Sequence, residues 1–221
     1  MKLAYPEIQT VFQFGDGKFP SVVIENPNFF YRFVNDLYCQ YNGESGEAVL
    51  SEKDVPISIL GNLELLTNFF PFELNRKPLL TKISAKLEKS SLSPEFYARS
   101  QQLIGNIENF ILDLAFQNDL DLKFSKLSVS GILKSAGICL QEDDLTLAEK
   151  ILTYMELMRA NRLASLFVFV NLRSFADTET MEKFTDSCCR HEYNIMLIDN
   201  REYERLSLEN RTVIDIDLCE F

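Results

Sequence analysis

Apolar and polar positions divide the chain into three regimes. Near the amino terminus they alternate or run in short apolar stretches, at Lys2 to Tyr5, Thr10 to Phe14 and Ser21 to Ile24, with Gly15-Asp16-Gly17-Lys18 as a turn. A period of two marks strands, and glycine-rich turns punctuate them. This stretch predicts an antiparallel hairpin leading into a buried strand. From Phe29 to Tyr41 the spacing is helical, and Asn42-Gly43 supplies a stop. Strand-like pieces follow at Ala48 to Leu50 and at Ile57 to Leu60, the latter stopped at Gly61.

The middle is helical throughout. Pro78 suits a first-turn position, and Leu79, Leu80, Ile83 and Leu87 form an apolar stripe. Ser93-Pro94-Glu95 opens a second helix to about Asn118, with Leu103, Ile104, Ile107, Phe110, Ile111 and Leu114 inside, predicting an antiparallel pair. Asp119-Leu120-Asp121-Leu122 breaks it, Ser128 to Ala136 starts another helix stopped by Gly137, and Asp144 is the expected cap of a long helix carrying Leu145, Leu147, Ile151, Leu152, Met155 and Met158.

The last third returns to strands. Leu166 to Val170 is continuously apolar, as in a strand buried on both faces. A helix from Thr178 to Cys189 leads to a second such strand, Tyr193 to Ile198, and Thr212 to Ile216 closes the sheet. Strands at both ends with helices between them predict an α/β head domain from residues 1–75 and 164–221, carrying an α-helical subdomain over 76–163.

The 221 residues are 46% hydrophobic, with 18 Phe and no Trp, enough for a sizeable core. The charged, Pro-containing start after Met1-Lys2 is unlike a signal peptide, and the longest apolar run is far short of a membrane span. Five cysteines without a C-x-x-C pair, together with a single histidine, argue against zinc and for reduced thiols in the cytoplasm.

Net charge is −11, which taken alone argues against nucleic acid. The distribution alters that picture. Arg76 to Lys134 holds nine basic residues against six acidic ones, leaving 13 against 27 elsewhere. Lys82, Lys86 and Lys89 fall at i, i+4 and i+7, along one helix side opposite its apolar stripe. Arg76 and Lys77 extend this strip, and Lys123, Lys126 and Lys134 add another. Such lysines also suit a merely solvated face; without interleaved aromatics they fit duplex backbone contacts better than stacking on single strands.

The segment Phe19 to Phe33 has the layout of a phosphate-binding loop without its chemistry. Where G-x-x-x-x-G-K-[ST] is needed, Glu25 repels phosphate, Phe30 fills the glycine space, and neither Lys nor Ser/Thr follows. After Leu166 to Val170, where a metal-binding acid ends the strand of such enzymes, stands Asn171. An unrelated strand and helix fits these residues equally. Asn118-Asp119-Leu120-Asp121 places oxygen ligands at alternating positions, as hard cations favour, although helix-end acids are common. Glu142-Asp143-Asp144 suits a helix start, and His191 a surface turn.

In its order of elements the chain resembles the ring-forming DNA-end-binding adaptation proteins of subtype II-A CRISPR systems. The resemblance rests on the hairpin, Ser21-Val-Val-Ile before a non-functional P-loop position, Gln117-Asn-Asp-Leu-Asp-Leu leading to Gly131-Ile-Leu-Lys-Ser-Ala-Gly137, and Leu166-Phe-Val-Phe-Val-Asn. It implies a degenerate P-loop-ATPase-like α/β domain with an inserted α-helical subdomain, assembled as a homotetramer. The expected function is non-enzymatic, sequence-independent binding of double-stranded DNA ends in spacer acquisition, beside the integrase complex and effector nuclease. Neither nucleotide nor membrane is an expected partner. Calcium is the implied cofactor, with Asn118, Asp119 and Asp121 as candidate ligands. Lys77, Lys82, Lys86, Lys89, Lys123, Lys126 and Lys134 are the implied DNA-facing residues. A nucleotide hydrolase with an unconventional site and a protein-interaction scaffold are the alternatives.

Overall fold

Continuous apolar strands and amphipathic helices order the chain. In sequence, the elements are β1 (Lys2–Ala4), β2 (Phe12–Gln13), β3 (Phe19–Ile24), α1 (Pro27–Tyr41), β4 (Val49–Glu52), β5 (Val55–Ile57) and β6 (Leu63–Leu66). Then come α2 (Lys77–Ser91), α3 (Pro94–Gln117), α4 (Val129–Ser135), α5 (Leu147–Ala160), β7 (Leu166–Val170), α6 (Thr178–Arg190), β8 (Asn194–Asp199) and β9 (Glu209–Ile214). The computed structural model describes residues 1–221 and divides into two units, Met1–Leu74 with Asp143–Phe221, and Asn75–Glu142.

The first unit is mixed α/β. Its five-stranded sheet, ordered β6-β7-β8-β3-β9, is parallel throughout. All five residues of β7 and all six of β3 are buried, which explains the unbroken apolar run of β7 and the apolar character of β3 around Ser21. One face packs Val22, Ile24, Val168 and Ile198 against Phe29, Phe33 and Leu37 of α1. The opposite face takes α5 and α6, with Phe169 edge-on to Phe184 at 5.6 Å. Each large apolar side chain so buried contributes about 1.5–3 kcal/mol.

The amino-terminal strands enter a separate antiparallel sheet, ordered β2-β1-β4-β5. Strands β1 and β2 pair antiparallel, Leu3 opposite Phe12, as the expected hairpin, and the Gly15–Gly17 turn then carries the chain into β3 of the parallel sheet. Both glycines adopt positive φ, 110° and 71°, a region that disfavours side chains.

Three expectations are corrected. Strand β6 was not foreseen, because Glu64 interrupts its apolar pattern. The cap of α5 is Thr146, not Asp144: Thr146 Oγ1 and the Glu149 carboxylate bond each other's backbone amides in a capping box, while Asp144 sits in a turn with φ 64°. The unit boundary also differs, because α5 belongs to the α/β unit and not to a helical segment reaching residue 163. The physical reason is its buried side. Ile151, Tyr154, Met155 and Met158 are enclosed, Tyr154 donates to Glu64 Oε1 at 2.7 Å, and the Arg159 guanidinium lies 3.9 Å from the Tyr193 ring centroid.

The second unit is helical. Helix α2 packs on both α3 and α4, burying Leu79. Asn75 ties its two chain ends together, accepting from the Leu140 amide at 2.6 Å and donating to the Leu140 carbonyl at 3.0 Å and to Glu142 Oε1 at 3.2 Å.

Candidate nucleic-acid interface

The basic residues sit where helix geometry leaves them free. Lys77 opens α2, and Lys82, Lys86 and Lys89 follow along it, all four exposed. Lys89 lies in the last turn of α2 and Lys134 in that of α4, where cations complement the helix dipole. Lys123 and Lys126 stand exposed in the irregular segment between α3 and α4, whose far end is fastened by the Leu127 amide donating to Glu108 Oε1 at 3.4 Å. None of these seven lysines forms an ion pair within the chain.

The candidate calcium ligands follow the end of α3. Asn118 is its C-cap, and Asp119 adopts the left-handed conformation with φ 54°. The Asp119 amide donates to Phe116 O at 3.3 Å and the Leu120 amide to Ala115 O at 2.9 Å, a Schellman closure. Asp119 thus has a backbone reason for its place. Asn118 Nδ2 donates to Leu114 O at 2.8 Å, and Asp119 and Asp121 are exposed. No three Asp, Glu, His or Cys side chains converge as a metal cage within the chain.

The turn between β3 and α1 is only Glu25-Asn26. Asn26 Oδ1 accepts from the amides of Asn28 and Phe29, both at 3.1 Å, and its Nδ2 donates to Ile216 O at 2.9 Å. The helix amides that a phosphate loop offers its ligand are here engaged by the cap. Arg32 pairs with Glu7 at 2.6 Å.

Sequence reasoning overlooked an ionic cluster in the α/β unit. Arg173 Nε lies 3.1 Å from Asp199 Oδ2, and Arg173 Nη2 lies 2.5 Å from Glu209 Oε1. Ser21 Oγ and Arg211 also donate to Glu209. Charges at the ends of strands, Asp199 closing β8 after Ile198 and Glu209 opening β9, were the available signal. Arg173, Asp199 and Glu209 are 5%, 1% and 3% exposed, so no substrate reaches them as folded. A cavity of about 710 Å³ beside α5 and α6 is walled by Leu147, Ile151, Leu152, Leu172, Phe175 and Phe184. Its acids Glu149 and Asp177 are engaged as helix caps.

The chain is similar in sequence to known proteins. A model of the family described as CRISPR-associated protein (Cas_Csn2) matches residues 40–218. The chain is 20% identical over 181 residues to the CRISPR-associated protein Csn2 of Streptococcus agalactiae, covering 81% of each chain. To that of Enterococcus faecalis it is 19% identical over 181 residues, covering 81% of this chain and 82% of the relative. No helix is long and apolar enough to cross a membrane. Since the family match runs through the helical unit and the returning parallel strands alike, the chain belongs to the Cas_Csn2 family of CRISPR-associated proteins.

Proposed function

We propose that this protein is a non-enzymatic clamp for double-stranded DNA, a cytoplasmic homotetrameric ring that loads at DNA ends during spacer acquisition beside the integrase complex and effector nuclease. The observation that carries this reading is the set of seven exposed, unpaired lysines on one unit of an otherwise acidic chain. Lysine ammonium groups meet phosphates without reading bases, so affinity is sequence-independent and falls steeply with salt. Closing several copies into a ring reconciles net charge −11 with DNA, because the basic units face the hole and the acidic surface faces outward.

Helix α3 supports assembly. Phe96, Leu103 and Phe110, spaced by seven residues, are 42%, 48% and 60% exposed, and Leu114 is 44% exposed. An apolar stripe of that kind favours burial against another copy. Calcium belongs to the same reading, with Asn118, Asp119 and Asp121 supplying part of an oxygen shell. Calcium takes six to eight oxygens, so backbone carbonyls, water or a neighbouring copy must complete it. The α/β unit is in this reading a degenerate P-loop-ATPase-like scaffold, and Asn26 capping α1 supports a role without nucleotide.

Gel shifts with linear and covalently closed duplexes, with and without calcium, test the clamp. Linear DNA should be retained and closed circles not. Equal retention of both sinks end loading. Lys82→Glu with Lys86→Glu should weaken linear-duplex binding at least about tenfold, roughly 1.4 kcal/mol, while light scattering reports the same assembly. Unchanged affinity in that variant would mean that DNA meets another face.

A further inference from the structure

A polar cleft of about 330 Å³ opens in the α/β unit where β2 and the Gly15–Gly17 turn adjoin β9. Its lining includes Gln13, Asp16, Lys18, Arg205, Asn210 and Arg211. The three cations differ in how they are used. Arg211 is committed inward, with Nε and Nη2 each 2.9 Å from the Glu209 carboxylate and Nη1 2.8 Å from Tyr203 O. Lys18 forms no ion pair, and Arg205 makes one long contact, 3.4 Å to the Glu209 carbonyl. Both side chains are exposed, as are the amides of Gln13 and Asn210. Asp16 is the one carboxylate in the lining. The surplus is therefore positive, on a chain whose net charge is −11.

The walls are held in place. Glu220 receives the amides of Gln9 and Thr10 at 2.6 and 2.7 Å, fixing the segment that enters β2. Glu209 receives Arg211 and, at 2.8 Å, the Leu206 amide, fixing the entry to β9. A guanidinium fork, an ammonium point charge and two amide donors around one opening suit a phosphoryl group, and the volume lies at the lower end of small-ligand sites.

We propose that this cleft binds a phosphoryl oxyanion, with Lys18 and Arg205 as its charged contacts and Gln13 and Asn210 as its amide donors. The site is independent of the lysines of the helical unit. A phosphate of this kind is carried either by a nucleic-acid backbone or by a small di- or triphosphate, and the two sources separate experimentally.

The test compares the full-length protein with Lys18→Gln/Arg205→Gln and with a charge-matched control, Lys53→Gln/Lys183→Gln. Inorganic pyrophosphate is titrated calorimetrically, and a blunt, 5′-phosphorylated duplex is followed by fluorescence anisotropy. Circular dichroism verifies that the variants fold. The cleft variant should lose at least about tenfold in affinity for one or both probes, while the control changes by less than about twofold. Loss for pyrophosphate alone identifies a small phosphate compound as the ligand, and loss for the duplex identifies the nucleic-acid backbone. Equal affinities in all three proteins, or equal losses in variant and control, overturn the site. Lys82→Glu/Lys86→Glu should leave pyrophosphate binding intact, so failure of the clamp and failure of the cleft give different results.

Discussion

Glu209 accepts hydrogen bonds from Arg173, Arg211, Ser21 and the Leu206 amide, whereas Asp199 in the same cluster receives none and faces Arg173 Nε at 3.1 Å. Burial raises the Glu209 carboxyl, but the bonds from Arg211, Arg173 and Ser21 outweigh it and bring the pKa down to about 2. Desolvation lifts Asp199 from 3.8 to about 6 despite the opposing charge of Arg173. The consequences for stability have opposite signs. Glu209 stabilises the fold above its ordinary 4.5, and that contribution is lost as pH falls toward about 2. Asp199 holds its proton more tightly when folded, so its contribution declines as pH rises from 3.8 to about 6. Asp199→Asn should remove that decline, seen as a flatter course of urea midpoints across the interval. An identical slope in both proteins contradicts the assignment. Glu209→Gln should cost about 3 kcal/mol or more by leaving the buried Arg173 and the part-buried Arg211 guanidinium groups short of a counter-charge.

Among the elements, β7 was legible residue for residue, Leu166 to Val170, because a strand buried on both faces needs no long-range partner to declare itself. Strand β6 was not, because its Glu64 interrupts the apolar pattern and is met by distant groups, among them the hydroxyls of Tyr154 at 2.7 Å and Tyr41 at 3.2 Å, the former 90 residues away. Tyr154→Phe should therefore destabilise the protein by about 1–3 kcal/mol, measured by denaturant unfolding. A change within error would show that Glu64 is satisfied without that hydroxyl. The same bond explains why α5 joins the α/β unit. Apolar spacing identified a helix there, but the strand it covers lies on the other side of the helical insertion in sequence. Asp144 and Thr146 are both acceptable cap residues by type, and the reciprocal bond with Glu149 decided between them.

At the scale of the molecule, the stripe on α3 carries the prediction. Leu103→Asp with Phe110→Asp should reduce the solution mass measured by light scattering while leaving helical circular dichroism intact. An unchanged mass places the assembly contacts elsewhere. Chelation of calcium should likewise lower the mass or weaken DNA retention if Asp119 and Asp121 help to complete a shared site. The helices, the continuously apolar strand β7 and the concentration of lysines between residues 76 and 134 were determined by the sequence itself, because periodicity and charge are local properties. Only the tertiary structure decided which unit receives α5, how Arg173, Asp199 and Glu209 share one buried cluster, and that Lys18 and Arg205 line one cleft. Those outcomes depend on contacts between residues far apart in the chain, and no local pattern encodes which distant partner a buried charge or an apolar face will meet.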